Sequence, residues 1–121
     1  MLILFLLYSI VAVLFELLGL SFNTYTAFLL WIIVNCLDSH STLFFLKYGG
    51  KEGNLIFEFL FRKIGAVRTL MFIKMPAVLI VGELVVQKDG PNTAIMSWNI
   101  VFAYIAIRNY IYGFQLKNNP P

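Results

Sequence analysis

The sequence is poor in the residues that carry most soluble chemistry: it has one cysteine, one histidine and only 12% charged residues. A single thiol, Cys36, excludes an internal disulfide, and inside an apolar run it reads as a small apolar filler. A single imidazole, His40, leaves no HExxH motif and no histidine pair. Asp38 and His40 are two apart, so on a helix they point about 200° away from each other and do not chelate one ion together. No metal and no other cofactor is expected. Ser39 and Ser41 have no histidine and carboxylate at useful spacing, so no catalytic nucleophile is assigned. Gly49-Gly50-Lys51-Glu52-Gly53 lacks the Ser or Thr, and the preceding strand, of a phosphate-binding loop. The chain reads as a protein without its own catalytic site, though one that can serve as a non-catalytic subunit of an enzyme complex.

What the sequence has in abundance is apolar length. Hydrophobic residues make up 60% of it, gathered into four runs at residues 2–20, 25–46, 67–86 and 94–114. Each is close to the roughly 20 residues that cross a hydrocarbon core of about 30 Å. In lipid the backbone must satisfy its own hydrogen bonds, which favours helices. The expected fold is therefore an all-α integral membrane protein in one membrane domain, a four-transmembrane-helix bundle of two antiparallel hairpins. The lipid bilayer is its first expected partner. No room is left for a soluble domain. The first run has no basic segment before it and no small-residue cleavage site ahead of Ser21, so it reads as a retained helix rather than a secretory signal.

Charge placement sets the expected topology. Between the second and third runs lie Lys47, Lys51, Arg62, Lys63 and Arg68 against Glu52 and Glu58. The first connection is uncharged, and in the third Lys88 is balanced by Asp89. The positive-inside rule places the middle connection in the cytoplasm. Both termini then lie inside too, in agreement with Lys117, and the chain is expected as a multi-pass protein of the plasma (cell) membrane. The net charge of +3 is explained by this topology and does not point to nucleic acid. Asp89-Gly90-Pro91-Asn92 predicts a tight outer turn. Within the middle connection, residues 55–64 are too short to span and carry Arg62 and Lys63. They predict a short cytoplasmic interfacial helix, with Asn54 as its N-cap.

Ionisable residues inside the runs are the candidate functional positions, because charge at membrane depth is costly. Counting from the inner ends at 1.5 Å per residue, Asp38, Lys74 and Arg108 lie about 12, 10 and 9 Å deep. They form an expected intramembrane charge cluster in which Asp38 pairs with Lys74, Arg108 or both. Lys74 and Arg108 can alternatively snorkel to the inner surface. Glu16 and Glu83 sit about 5 to 6 Å from the outer ends and form a pair of outer-leaflet carboxylates. Asn35, Asp38, Ser41 and Thr42 share one face of the second helix. Tyr104, Arg108, Tyr112 and Gln115 form the corresponding stripe on the last. Pro76, which cannot donate to the Phe72 carbonyl, predicts a kink beside Lys74.

Asp38-Ser39-His40-Ser41-Thr42 followed by Gly49-Gly50-Lys51-Glu52-Gly53-Asn54 resembles an uncharacterised family of small prokaryotic multi-pass membrane proteins. Its signature runs D-x-x-x-T at a helix end, then G-G-x-E-x-N-P, then a lysine in the next helix. Asp38, Thr42, Gly49, Gly50, Glu52, Asn54 and Lys74 match, while Leu55 stands where the family has proline. The resemblance covers roughly residues 33–80 and implies no reaction. It does draw Asp38, Glu52, Asn54 and Lys74 together as one constellation near the cytoplasmic face.

Two functions are consistent with these features. The first is an accessory or assembly subunit of a larger membrane complex, such as an oxidoreductase or energy-converting complex, partnered by other membrane subunits. It follows from the lack of a soluble domain and of cofactor ligands, and from aromatic residues around several faces (Phe5, Phe15, Phe28, Trp31, Phe102, Tyr110). The second is a small self-associating transporter or channel that uses Asp38, Lys74 and Glu83 on a proton or ion path.

Overall fold

Chain punctuation decides where the helices begin and end. A computed structural model describes residues 2–88 and 91–120, so Asp89 and Gly90 of the expected outer turn lie outside the described residues. Five helices and no strand are present among the described residues: α1 (Leu2–Leu17), α2 (Thr24–Lys47), α3 (Leu55–Ile64), α4 (Ala66–Val85) and α5 (Thr93–Asn118). Helix α1 stops short of residue 20. The Gly19 N–H donates to the Glu16 carbonyl and the Leu20 N–H to the Phe15 carbonyl, each at 3.1 Å. The same double closure ends α2, from Gly49 to Leu46 at 3.1 Å and from Gly50 to Phe45 at 2.9 Å. This is the Schellman arrangement, and Gly49 has the φ of +100° that it needs.

Helix α3 begins where Asn54 caps it: Asn54 Oδ1 accepts from the Ile56 and Phe57 N–H groups at 2.9 and 3.4 Å. Glu52 Oε1 accepts the Asn54 N–H at 2.9 Å. The chain then turns sharply at Gly65, whose φ of 95° and ψ of 151° lie in a region open essentially to glycine alone. Helices α3 and α4 meet there at 119°.

Among the described residues, α2 alone is long and apolar enough to cross a membrane, with the bent pair of α3 and α4 a second candidate if the two count as one span. Helix α1 has 16 residues, short of the usual span, and α4 carries Arg68, Lys74 and Glu83. Exposed aliphatic surface is extensive on every helix. The accessible area is 8147 Å², against about 6,700 Å² expected for a soluble monomer of 13.9 kDa.

The expected hairpins are not the packing units. Helix α5 makes its largest interface with α2 and a second with α1, whereas α4 packs on α2 and touches α5 only slightly. Contacts fix the directions. Ala27 meets Asn99, Trp31 meets Phe102, Ser41 meets Asn109 and Phe44 meets Phe114. Both numbers rise together, so α2 and α5 run parallel. Trp31 to Val78 and Asp38 to Lys74 run oppositely, so α4 is antiparallel to α2. The reason is residue spacing. Ile95, Asn99, Phe102, Ala106, Asn109 and Gly113 alternate steps of four and three along α5, and all but the partly buried Phe102 are buried. Ala27, Trp31, Val34, Asp38 and Ser41 do the same along α2 and are all buried. Two such stripes mesh as in a coiled coil, and their small members let the backbones approach.

The short connections just before the first residues of α2 and α5 are tied to each other. Asn92, at a φ of 53°, accepts the Gln87 N–H on Oδ1 at 2.7 Å and donates to the Phe22 carbonyl at 2.9 Å. The Phe22 N–H donates to the Pro91 carbonyl at 2.9 Å, and Thr24 Oγ1 donates to the Gln87 carbonyl at 2.6 Å. Below this knot sits an apolar core of Ala27, Trp31, Val78, Ile95 and Met96. The Trp31 indole N–H donates to the Val78 carbonyl at 2.8 Å, which fixes the ring against α4. A methyl group added at Gly82 would lie 2.6 Å from Trp31 Cδ1 and 2.8 Å from Phe28 Cε2. Gly82→Ala is therefore expected to cost about 1–3 kcal/mol, read as a lower unfolding midpoint in a denaturing-detergent titration. Gly53→Ala, which meets nothing within 4 Å, is the control. Equal midpoints for the two variants would refute this packing of α4 on α2.

Candidate functional site

The face predicted on the second helix is buried as a unit: Asn35, Asp38, Ser41 and Thr42 are each less than a tenth exposed. Hydroxyls three and four residues on turn back to the Asp38 carbonyl, Ser41 Oγ at 2.9 Å and Thr42 Oγ1 at 2.7 Å. Such back-bonding satisfies short polar side chains inside a helix. From α5, Asn109 Nδ2 donates long bonds to the same two oxygens, at 3.5 and 3.4 Å. The Asp38 carboxylate itself points to α4, where Oδ2 forms an ion pair with Lys74 Nζ. Both side chains are close to nine-tenths buried. Coulomb attraction is strong in so dry a setting, and it offsets the desolvation of the two ions.

Lys74 reaches this position through an unusual turn. Residues Leu70–Lys74 form a π-helical segment closed by the Met75 N–H on the Leu70 carbonyl. Pro76 follows at once and cannot donate to the carbonyl four residues back. The wide turn takes up the mismatch, where the sequence predicted a kink. Lys74 pairs with Asp38 and has no other side-chain partner among the described residues.

Arg108 does not join the pair and has no hydrogen-bond or ion-pair partner among the described residues. Its neighbour Asn109 occupies the face toward α2, and one residue is a step of about 100° around a helix. The predicted stripe is accordingly displaced: Tyr104, Tyr112 and Gln115 are exposed and Arg108 half-buried. The buried polar positions on α5 are instead Ser97, Asn99 and Asn109. Asn109 was recoverable from its spacing with Asn99, Ala106 and Gly113, but charge dominated the reading of that helix. Glu16 and Glu83 are both exposed, and neither has a partner among the described residues. They do not pair with each other.

The constellation implied by the resemblance divides in two. Asp38 and Lys74 are paired inside, Glu52 and Asn54 are paired at the α3 cap, and no hydrogen bond or ion pair links the two sets. Thr42 belongs to the inner set through Asp38. Gly49 and Gly50 close α2. His40 faces outward, with Nδ1 hydrogen-bonded to the Tyr110 hydroxyl at 2.6 Å. Cys36 is exposed.

Two hollows, of about 360 and 250 Å³, lie elsewhere. The first is lined by Phe28, Leu79, Ile80, Leu84 and Glu83. The second lies between the Trp31, Trp98 and Phe102 rings. Neither touches the ion pair. No group of three His, Cys, Asp or Glu side chains able to hold a metal occurs among the described residues. Three buried polar atoms, Asn35 Oδ1, Ser39 Oγ and Asn99 Oδ1, have no hydrogen-bond partner. The arrangement holds opposite charges together and ties three helices to one level; no nucleophile and base are juxtaposed in it.

No protein-family model, curated protein or solved structure matches this sequence.

The ion pair can be weighed by a double-mutant cycle. Asp38→Leu or Lys74→Met alone strands a buried charge and is expected to cost about 3–5 kcal/mol. The combined variant should regain most of that loss in the same detergent titration. Losses that simply add would show that the two side chains do not stabilise one another.

Proposed function

We propose that this chain is a multi-span integral membrane protein that acts as a non-catalytic accessory or assembly subunit of a larger membrane complex. On this reading α1, α2, α4 and α5 cross the bilayer, both termini are cytoplasmic and α3 lies along the inner surface. The Asp38–Thr42 and Gly49–Asn54 stretches are then read as a folding signature shared with small prokaryotic multi-pass proteins. The first set neutralises the interior, and the second ends one helix and starts the next.

The observation that carries the reading is how charge divides within the fold. Asp38 and Lys74 neutralise each other inside, while the exposed Glu16 and Glu83 and the half-buried Arg108 have no side-chain partners among the described residues. Unpaired charge on a lipid-facing surface is unfavourable, and neighbouring subunits can supply the missing counterparts. Leu79, Ile80 and Leu84 around Glu83 are each more than two-fifths exposed. The apolar lining and openness of the hollows, and their distance from the ion pair, favour a surface to be covered over a path to be travelled.

The test is the native mass of the protein after gentle extraction from its own membranes, with every co-migrating chain identified. Co-migration with other membrane subunits at fixed stoichiometry is the expected result. A small homo-oligomer without companions would overturn it. Proton or ion flux in liposomes that is abolished by Asp38→Asn would then establish the transporter reading.

A further inference from the structure

Because α2 and α5 run parallel, their C-terminal ends emerge at one level. There the Phe44 ring packs edge-to-face against Tyr48 and tilted against Phe114, at centroid distances of 5.1 and 5.0 Å. Lys47, the last residue of α2, places Nζ 5.5 Å from the centroid of the Tyr48 ring. Lys117, near the end of α5, places its own Nζ 5.8 Å from the same centroid. Two ammonium groups from different helices thus converge on one aromatic ring. Neither forms an ion pair with a carboxylate among the described residues.

We propose that this convergence is a binding site for the phosphate of an anionic phospholipid headgroup. It rests on the proposed topology, in which α2 and α5 reach the inner membrane surface at these residues. A bland role accounts for part of the charge. Each helix C-terminus carries about half a negative charge, which a lysine in the last turn compensates. Two lysines against two such ends leave roughly one positive charge over, the match for a singly charged phosphodiester. The ring quadrupole steadies both cations but does not neutralise them. Lysine binds phosphate as a point charge with three donors, and Phe114, 52% exposed, offers apolar surface beside the site for an acyl chain. That combination of unmatched charge and adjoining apolar surface selects a lipid over a free anion.

The experiment uses the full chain reconstituted in phosphatidylcholine bilayers with and without phosphatidylglycerol, then released for native mass spectrometry. Wild-type protein should retain one phosphatidylglycerol molecule. Lys47→Gln/Lys117→Gln should lose it, with occupancy falling roughly thirtyfold if each basic group contributes as it does near a membrane surface. Arg62→Gln/Lys63→Gln, which removes equal charge from α3, should keep it. Equal loss from both double variants would overturn the site in favour of general surface attraction. Competition by inorganic phosphate at equal potency would overturn the lipid assignment in favour of a free anion. Lys47→Arg/Lys117→Arg should retain the lipid, which separates a lost site from a lost fold. A prior alkaline carbonate wash isolates failure of the topology: release of the protein from the membrane refutes the spans, whereas a retained protein with no bound phosphatidylglycerol refutes only this site.

Discussion

One ion pair sets the relation between the helices on which the rest of the structure depends. Asp38 is buried within the fold, so its carboxylate needs a cation brought to it. Lys74 comes from α4, and α4 can deliver it because a π turn widens the helix just ahead of Pro76. The pair in turn keeps α4 against α2, with Trp31 bonded to the Val78 carbonyl one turn further along. Opposite charges therefore serve as a positional lock between two helices that are otherwise apolar where they touch. A buried salt bridge contributes uncertain net stability, but separating its partners is costly, and that asymmetry gives it positional value.

The second face of α2 is organised by size and spacing. Small and amide side chains repeat at steps of three and four on both α2 and α5, and the two stripes mesh along most of their length. Close backbone approach and scattered hydrogen bonds hold the two helices together. Ser41, Thr42 and Asn109 provide such bonds directly behind the Asp38 carbonyl. The carboxylate side of Asp38 thus belongs to α4 and its backbone side to α5. Helix α2 is the hub, and α1 packs chiefly on α5, with Phe15 against the shared apolar core.

Helix identity was readable from the sequence because apolar length and cap chemistry are local. The short helix at residues 55–64 and its Asn54 cap required nothing beyond neighbouring residues. The choice of Lys74 over Arg108 as the partner of Asp38 was not readable. Both lie at similar depth, and rotation about α5 decides between them. Hairpin pairing failed for a related reason: short connections at residues 18–23 and 86–92 suggested sequential neighbours, yet those connections bond to each other and leave the helices free to pair across the chain. Pro76 announced an irregularity but not its form. A kink and a π turn both answer the missing donor, and the wider turn positions Lys74 for Asp38. Gly65, a lone glycine between two helical stretches, gave little local warning of a 119° bend.

The parallel pairing of α2 with α5 also has a consequence in time. The chief neighbour of α2 is made only after two intervening helices, and the counter-charge of Asp38 is made thirty-six residues after it. At ordinary translation speeds that interval is about 2 to 7 s, far longer than a helix needs to form. During it, a nascent α2 carries a carboxylate whose partner Lys74 has not yet been made. Biogenesis of this molecule is then a wait for Lys74, before which α2 and α4 cannot lock together.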